Sequence, residues 1–326
     1  MTTALTVPGW TADHIPDQSG RTVVVTGANS GLGYITAREL ARHGAHVILT
    51  ARNKDKGRAA LDGLRAELPE ATAELRALDL ADLDSVHAFA DALDTPLDLL
   101  VNNAGIMMPP RALTKQGFES QFGTNHLGHF ALTGLLLERL RAGTDPRVVT
   151  VSSTLHKNGA IHFDDLDGSR SYTPRGFYAQ SKYANVLFGL ELDRRLRANA
   201  VPVRSVLAHP GYSATNLQSS GPTGLLKAIL KVTNRLVAQD METGALNQLY
   251  AAAAPNAQGG QFIGPDGRNE AKGHPTLVQP VESATDPATA RRLWDLSEQL
   301  TGVHYDFSPR RTAPHATAGA TPTTSR

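Results

Sequence analysis

The chain has 326 residues, 40% of them apolar, which is enough to build a large hydrophobic core. Its 32 basic and 31 acidic side chains give a net charge of +1, so no overall field attracts nucleic acid or a charged membrane. There is no cysteine, which excludes disulfides, thiolate metal ligands and cysteine nucleophiles. The first twenty residues do not resemble a signal peptide, and no stretch approaches the ~18 uninterrupted apolar residues of a membrane span. We expect a cytoplasmic protein without a membrane or nucleic-acid partner.

Strands and amphipathic helices alternate along the chain with a period near 30 residues. The predicted strands are Thr22–Thr26, His46–Thr50, one ending near Leu80, Leu97–Val101, Arg147–Ser152, Val203–Ala208 and Gln261–Ile263. The predicted helices are about Leu32–His43, Lys54–Leu68, Leu83–Leu93, Phe118–Arg141 and one that includes Thr173–Leu192. The alternation predicts an α/β fold, a single doubly wound Rossmann-type domain with a parallel sheet flanked by helices. We expect this domain over residues 20–307, between an extended arm (1–19) and a disordered Pro- and Thr-rich tail (308–326).

A glycine-rich turn lies between the first predicted strand and the first predicted helix. Glycines in this context let the backbone approach a pyrophosphate, and the start of the helix directs free N–H groups at it. The alternative interpretation is a plain tight turn. We predict a dinucleotide site whose contacts in this turn are Gly27, Asn29, Ser30, Gly31, Leu32 and Gly33.

The end of the second strand should distinguish the two nicotinamide cofactors. Enzymes that use NAD place a carboxylate there to bind the ribose 2′-hydroxyl, but the segment Thr50–Lys54 contains no acidic residue. Arg52, with Asn53 beside it, offers a planar cation suited to a 2′-phosphate. NADP(H) is therefore favoured over NAD(H), with a solvated loop arginine as the alternative interpretation of Arg52.

Two further strand ends carry residues suited to a nucleotide. Asp79 and Leu80 close the third strand, where a carboxylate accepts a hydrogen bond from an adenine amino group. Asn103, Ala104 and Gly105 follow the fourth strand, where small residues admit the nucleotide. Ligands of open α/β sheets bind at the carboxyl ends of the strands, so we expect both groups at the cofactor.

Tyr178 and Lys182 are four residues apart in a segment with a helical pattern, so a phenol and an ammonium share one helix face. Taken alone, the pair is better explained as a contact on a helix surface. A phenol has a pKa near 10 and needs a shift of roughly three units, about 4 kcal/mol, to act as a base near neutrality. Before desolvation is counted, one ammonium at ~4 Å supplies about that much at an effective dielectric of ~20, so we expect Lys182 to lower the pKa of Tyr178.

The motifs TGANSGLG, LDL, NNAG, TNHLGHF, VSS, YAQSK and HPGYSAT follow one another in this order. With them the chain resembles the short-chain dehydrogenase/reductase superfamily over roughly Gly20 to Val303. Within it, the chain looks most like the retinol dehydrogenase-like group. The similarity is carried by His126-Leu127-Gly128, the long insert between Ser153 and Tyr178, and the ending ARRLWDLSEQLTG.

The resemblance implies a role for each matching residue. Tyr178 would be the general acid/base, and Lys182 would bind the nicotinamide ribose and favour the tyrosinate. Asn125 would help to hold a proton-relay water, and Ser153 would hydrogen-bond the substrate oxygen. The segment implied to contact the nicotinamide carboxamide contains Pro210, Gly211 and Thr215.

The motifs together indicate an oxidoreductase that transfers a hydride between NADP(H) and a small-molecule carbonyl or alcohol substrate. The rival hypothesis is a non-catalytic NADP(H)-binding sensor or regulator, which we would expect to lack Tyr178 or Lys182. Assembly into a homo-oligomer stays open.

Two other features have more than one interpretation. The apolar residues of Gly211–Leu236 indicate either core packing or a substrate lid at about residues 211–240, and a lid would indicate an apolar substrate. His126 and His129 have the i, i+3 spacing of metal ligands, but no nearby carboxylate completes a set. We predict no metal site and interpret these histidines as helix residues that line or flank the active site.

Overall fold

The computed structural model of the protein describes residues 9–212 and 240–308. Within these ranges, eight strands form one sheet in the order β3-β2-β1-β4-β5-β6-β7-β8. All neighbouring strands are parallel except β7 and β8, which are antiparallel. In chain order they are Thr22–Val25 (β1), His46–Ala51 (β2), Ala73–Ala77 (β3), Leu99–Asn102 (β4), Arg147–Val151 (β5), Arg204–Ala208 (β6), Phe262–Pro265 (β7) and Pro275–Leu277 (β8).

Helices cover both faces of the sheet. Before β5 they are Gly31–Arg42 (α1), Lys54–Glu67 (α2), Leu83–Asp91 (α3), Ser120–Phe122 (α4), Gly128–Leu135 (α5) and Leu137–Arg141 (α6). After β5 they are Pro174–Ala198 (α7), Met241–Ala253 (α8) and Pro287–Thr301 (α9). Short 3-10 turns are found at Ala12–His14, Thr154–Asn158, Arg268–Glu270 and Glu282–Thr285. Among the described residues, no helix is both long and apolar enough to cross a membrane.

Alternate residues of the central strands point to opposite faces and enter different apolar clusters. Val23 and Val25 of β1 pack in the cluster that α1, α2 and α8 cover. Val24, between them, packs in the cluster that α3, α5 and α9 cover. Burial on both faces is why these strands are uninterrupted apolar runs. The predicted doubly wound α/β fold is confirmed.

The structure differs from the predicted elements in three places. The predicted helix Phe118–Arg141 is not continuous, because a π-helical turn at Gly123–Leu127 separates α4 from α5. The last strand, β8, runs antiparallel, so the sheet is not wholly parallel. The sequence patterns also did not predict α8 and α9 as elements.

The end segments of the predicted domain plan are only partly described. Residues 9–19 of the predicted arm pack on the domain, where Trp10 is 2% exposed and meets the ring of Tyr250 edge-on. Thr215, most of the predicted lid and the tail beyond Ser308 lie outside the described residues.

Candidate active site

The glycine-rich turn joins β1 to α1 beside the position where the strand order reverses between β1 and β4, the usual ligand crevice of this topology. Gly27 (φ +65°) and Gly31 (φ +60°) adopt left-handed backbone conformations that favour glycine. A Cβ added at Gly27 would lie 2.9 Å from the Cβ of Ala104, and one at Gly33 would overlap the side chain of Asn103. The glycines therefore let the turn pack directly against the segment that follows β4.

The start of α1 presents unpaired hydrogen-bond donors. Ser30 is its N-cap, but the serine side chain makes no capping hydrogen bond. The amide of Tyr34 is bonded to the Ser30 carbonyl at 3.4 Å, whereas the amides of Gly31, Leu32 and Gly33 make no hydrogen bond within the described part of the chain. Three free N–H groups at the positive end of a helix dipole fit a phosphate, so this turn is suited to the pyrophosphate of a dinucleotide.

Thr26 connects this turn to the end of β4 and to a buried histidine. Its Oγ1 accepts hydrogen bonds from the amides of Asn103 (2.8 Å) and Ala104 (2.9 Å). The ring of His129 lies between Thr26 and Asn125, with Nε2 at 2.9 Å from the Thr26 Oγ1 and Nδ1 at 3.0 Å from the Asn125 carbonyl. A carbonyl only accepts, so we assign the proton to Nδ1, which leaves Nε2 to face the threonine hydroxyl as an acceptor.

Arg52 follows β2, whose neighbour in the sheet is β1. Its side chain is exposed and forms no ion pair or hydrogen bond with the other described residues. Asn53, beside it, is the N-cap of α2, and its Oδ1 accepts from the amide of Lys56 at 2.9 Å. The structure thus leaves the Arg52 guanidinium available for a ligand and gives the Asn53 oxygen a partner within the protein.

The end of β3 is ordered by its own loop. The Asp79 carboxylate accepts from the amide of Ala81 at 3.0 Å, and the Asp79 amide donates to Ser85 Oγ at 3.0 Å. Leu80 is 6% exposed, and a Cβ added at Gly128 would overlap the Leu80 carbonyl. The close approach of α5 to this strand end therefore requires glycine at position 128.

Tyr178 and Lys182 lie one turn apart on α7, and their side chains are buried, with 5% and 3% of each residue exposed. The Lys182 Nζ donates a hydrogen bond to the Val151 carbonyl at the end of β5, at 3.2 Å, and lies 5.8 Å from the centre of the Tyr178 ring. The pair belongs to the interior, which excludes the alternative of a contact on the helix surface.

Burial is the largest influence on both groups. It raises the pKa of Tyr178 to about 12, against a smaller lowering by the hydrogen bond to Ser153. It lowers the pKa of Lys182 to about 8. The expectation of a lowered phenol pKa is wrong for the protein by itself, because the loss of hydration raises it and the opposing influence comes from Ser153, not from Lys182. Near neutral pH the phenol is protonated and most Lys182 side chains are charged.

The two adjacent serines have different partners. The Ser152 hydroxyl donates to the Lys182 carbonyl at 2.8 Å, so it fastens β5 to α7. Ser153 begins the 3-10 turn Thr154–Asn158, where its Oγ accepts from the amide of Leu155 at 3.2 Å. The hydroxyl that is hydrogen-bonded to the Tyr178 phenol is that of Ser153.

Asn125 lies in the π-helical turn, and its side chain holds the segment after β4. Its Oδ1 accepts from the Ile106 amide at 2.8 Å, and its Nδ2 donates to the Ile106 carbonyl at 3.0 Å. The same Nδ2 also donates to Ser181 Oγ, which in turn donates to the Tyr178 carbonyl. Asn125 thereby fixes the spacing between the end of β4 and α7. π-helical turns are frequent at functional sites.

The remaining predicted residues lie at the end of β6 or near α5. His209 is the first residue after β6, and Pro210 and Gly211 follow it directly. Gly211 has a φ of +67°.

His126 is buried, with 1% of its surface exposed, and its Nε2 lies 3.0 Å from Ser297 Oγ. Its ring is surrounded by the side chains of Phe122, Phe130 and Phe188. Within residues 9–212 and 240–308, no group of three His, Asp or Glu side chains is arranged to hold a metal ion.

The sequence did not predict the contacts that position these side chains. The sequence did not predict that His129 contacts both the Thr26 hydroxyl and the Asn125 carbonyl. The spacing of His126 and His129 indicated only that this helix lies at or near the site. The two hydrogen bonds of the Asn125 side chain to the Ile106 backbone could not be predicted, because no sequence spacing identifies which loop an asparagine side chain will contact.

Comparisons with known proteins agree with this geometry. The family described as short chain dehydrogenase matches residues 21–224. Polyprenol dehydrogenase of Mus musculus is 43% identical over 298 residues, which cover 89% of this chain and 86% of that protein. Retinol dehydrogenase 14 of Homo sapiens is 41% identical over 303 residues, which cover 87% of each chain.

Two solved structures are also similar. An uncharacterized protein from Mycobacterium paratuberculosis is 48% identical, with a TM-score of 0.77, covering 91% of this chain and 99% of that one. A protein from Beutenbergia cavernae, solved with NADP bound at low occupancy, is 26% identical, with a TM-score of 0.57, covering 75% of this chain and 94% of that one.

Three buried histidines predict that the protein loses stability in mild acid. Burial lowers the pKa of His126 to about 3 and those of His129 and His156 to about 4, below the ordinary value of 6.5. The unfolded chain therefore binds more protons than the folded one below about pH 6.5, and the stability present above that pH is lost as the pH falls towards 4. Each histidine should contribute a slope of about 1.4 kcal/mol per pH unit to the free energy of unfolding.

Urea unfolding between pH 7.5 and 5 measures this slope. His126→Gln should reduce the slope by the contribution of one histidine, about 1.4 kcal/mol per pH unit. The control is His304→Gln, which removes an imidazole whose side chain is 74% exposed. A free energy of unfolding that is constant from pH 6.5 to 5 would contradict the account.

Proposed function

The chain belongs to the short chain dehydrogenase family of oxidoreductases, and on that premise we propose that it transfers a hydride between NADP(H) and a carbonyl or alcohol group of an apolar substrate. The observation that carries the proposal is that a buried phenol, a buried ammonium, a buried amide and a half-buried hydroxyl lie beside the glycine-rich turn. These groups belong to Tyr178, Lys182, Asn125 and Ser153. A sensor that only binds the nucleotide would have no use for a buried acid/base pair, which disfavours that alternative.

When bound, the nicotinamide cofactor gives a hydride to a carbonyl carbon or takes one from an alcohol carbon. Tyr178 moves the proton. Its phenol is protonated near neutral pH because burial raises its pKa to about 12, and it is still a much stronger acid than the alcohol that forms from a carbonyl. In this state the residue is able to donate the proton that reduction of a carbonyl requires.

Ser153 and Lys182 support that proton transfer. The Ser153 hydroxyl is bonded to the phenol and is placed to share the developing charge on the substrate oxygen. The Lys182 ammonium, with a pKa of about 8, remains mostly charged at pH 7 and stabilises the tyrosinate that is left behind. Asn125 keeps the segment after β4 at a fixed distance from both side chains.

NADP(H) is the form of the cofactor that the chain's own residues favour. Arg52 supplies an exposed cation next to the turn that would bind the pyrophosphate, and it forms no ion pair or hydrogen bond with the other described residues. The residues proposed to hold the nucleotide are Gly27, Asn29, Ser30, Gly31, Leu32, Gly33, Arg52, Asn53, Asp79, Leu80, Asn103, Ala104, Gly105, Tyr178, Lys182, Pro210 and Gly211, with Thr215 outside the described residues.

The substrate class follows from the relatives and from composition. The names of the two curated relatives refer to polyprenol and retinol, both apolar alcohols. The segment after Gly211 is rich in leucine, in keeping with a cover for such a substrate, although it lies outside the described residues. We propose an apolar alcohol and the corresponding aldehyde or ketone.

Tyr178→Phe should lower kcat by about 10²–10⁴-fold on every accepted substrate, because it removes the proton donor and leaves the ring. The assay is NADPH oxidation against a panel of apolar aldehydes and ketones, with NADPH binding measured separately by fluorescence. Binding should change by less than about threefold. Tyr183→Phe is the matched control, since it removes a hydroxyl from a buried tyrosine on the same helix and should keep full activity. Wild-type turnover by Tyr178→Phe would refute the mechanism.

Arg52→Ala should weaken NADPH binding by about 10–100-fold and NADH binding by less than about threefold, because the lost charge-assisted contact involves only the 2′-phosphate. Calorimetric titration with each nucleotide measures both values. Arg58→Ala, at an exposed position of α2, controls for the loss of a positive charge near the site. Equal losses for NADPH and NADH would rule out the role proposed for Arg52.

A further inference from the structure

A second polar cluster lies beside the active site and has no part in the proton transfer. It consists of His209 after β6, Glu270 in the loop after β7, and Lys157 in the 3-10 turn after β5. The Lys157 Nζ donates to Glu270 Oε1 at 2.7 Å, and Glu270 Oε2 lies 3.1 Å from His209 Nε2. One chain of polar contacts therefore joins the loops that follow three successive strands of the sheet.

The hydrogen bonds determine which nitrogen of His209 carries the proton. The amide of Gly211 donates to His209 Nδ1 at 3.2 Å, so Nδ1 is unprotonated and Nε2 donates to the Glu270 carboxylate. His209 is fully buried, and a Cβ added at Gly264 would overlap its ring, so the imidazole has little room to turn.

The loop that carries Glu270 has an unusual backbone. Asn269 and Glu270 both have a φ of +55°, and two successive non-glycine residues in the left-handed region are uncommon. The same loop holds the segment after His209 by a second contact, since the Tyr212 amide donates to the Ala271 carbonyl at 2.8 Å. The strained loop therefore contacts both the imidazole and the backbone next to it.

The charges of the cluster are complementary near neutral pH. The pKa of Glu270 is lowered to about 2, first by its hydrogen bond to His209 and also by Lys157. Burial lowers the pKa of His209, in agreement with the unprotonated Nδ1 that accepts from the Gly211 amide. A carboxylate between an ammonium and an imidazole N–H is a stable arrangement, and it holds the imidazole in one orientation.

We propose that Glu270 is a positioning residue that acts through His209 to hold the backbone of Pro210 and Gly211 where the nicotinamide end of the cofactor binds. This inference rests on the proposed function, which assigns Pro210 and Gly211 to the cofactor. Without the carboxylate, the buried His209 N–H loses its acceptor, the ring is free to reorient, and the Gly211 amide loses its partner.

The test compares NADPH with 2′-phospho-ADP-ribose, which lacks only the nicotinamide, in calorimetric titrations of the full chain. The readout is the ratio of the Kd for NADPH to the Kd for 2′-phospho-ADP-ribose. Glu270→Ala should raise this ratio about tenfold. Lys157→Met removes the ion pair of the Glu270 carboxylate but keeps its contact with His209, and it should raise the ratio about threefold. Glu270→Gln keeps an oxygen acceptor for His209 but loses the ion pair with Lys157, so its ratio should rise about as much as that of Lys157→Met and less than that of Glu270→Ala. Glu74→Ala, which breaks a remote ion pair with Arg76, is the control.

A merely structural role of Glu270 would weaken both ligands alike and leave the ratio unchanged. An unchanged ratio in Glu270→Ala, or in Lys157→Met where Glu270→Ala does not fold, overturns the inference, as does an equal rise in Glu74→Ala. A wild-type protein that binds neither ligand overturns the proposed function instead, so the two failures are distinguishable.

Discussion

The site depends on the burial of a phenol and an ammonium side by side, where α7 packs on the end of β5. Desolvation acts on them in opposite directions, raising the pKa of Tyr178 and lowering that of Lys182, because it disfavours the charged form of each. Two hydrogen bonds make this burial tolerable, one from Lys182 to the Val151 carbonyl and one between the phenol and Ser153. The same pair on a helix surface would be hydrated and would have no reason to act as an acid/base. Burial therefore sets the pKa values of both side chains.

The polar groups around the pair form a continuous set of contacts from the nucleotide-binding turn to α7. Thr26 holds the segment after β4, His129 joins Thr26 to the Asn125 carbonyl, and the Asn125 side chain clamps Ile106. The contacts of Thr26 with the segment after β4 and with His129, and that of Asn125 with Ile106, cross between elements, whereas the contact of His129 with Asn125 lies within one helical segment. On the proposed function, the nucleotide and the proton donor would be positioned by one connected set of contacts, which suits a reaction that needs both at once.

The sequence predicts much of this because the relevant signals are local. The runs TVVV and RVVTV predict doubly buried parallel strands, the glycine spacing predicts the turn, and the interval from Tyr178 to Lys182 places both on one helix face. Properties that depend on distant residues were missed. The three-residue strand β8 exists only through its pairing with β7, and His209 and Glu270 are 61 residues apart. The direction of the Tyr178 pKa shift was missed for the same reason, since desolvation depends on what packs over the phenol and not on the spacing to lysine.

The central claim is that Tyr178 is a buried phenol that stays protonated near neutral pH and whose pKa is lowered when the cationic nicotinamide binds beside it. The test is the absorbance of tyrosinate, recorded within seconds of a jump to alkaline pH. Subtracting the spectrum of Tyr178→Phe from that of the wild type isolates the ionisation of Tyr178. The account predicts no ionisation of Tyr178 in the free protein below about pH 11, in keeping with a pKa of about 12, and a midpoint about two units lower with NADP⁺ bound. A midpoint at or below pH 10 in the free protein, or one that NADP⁺ does not move, would contradict it.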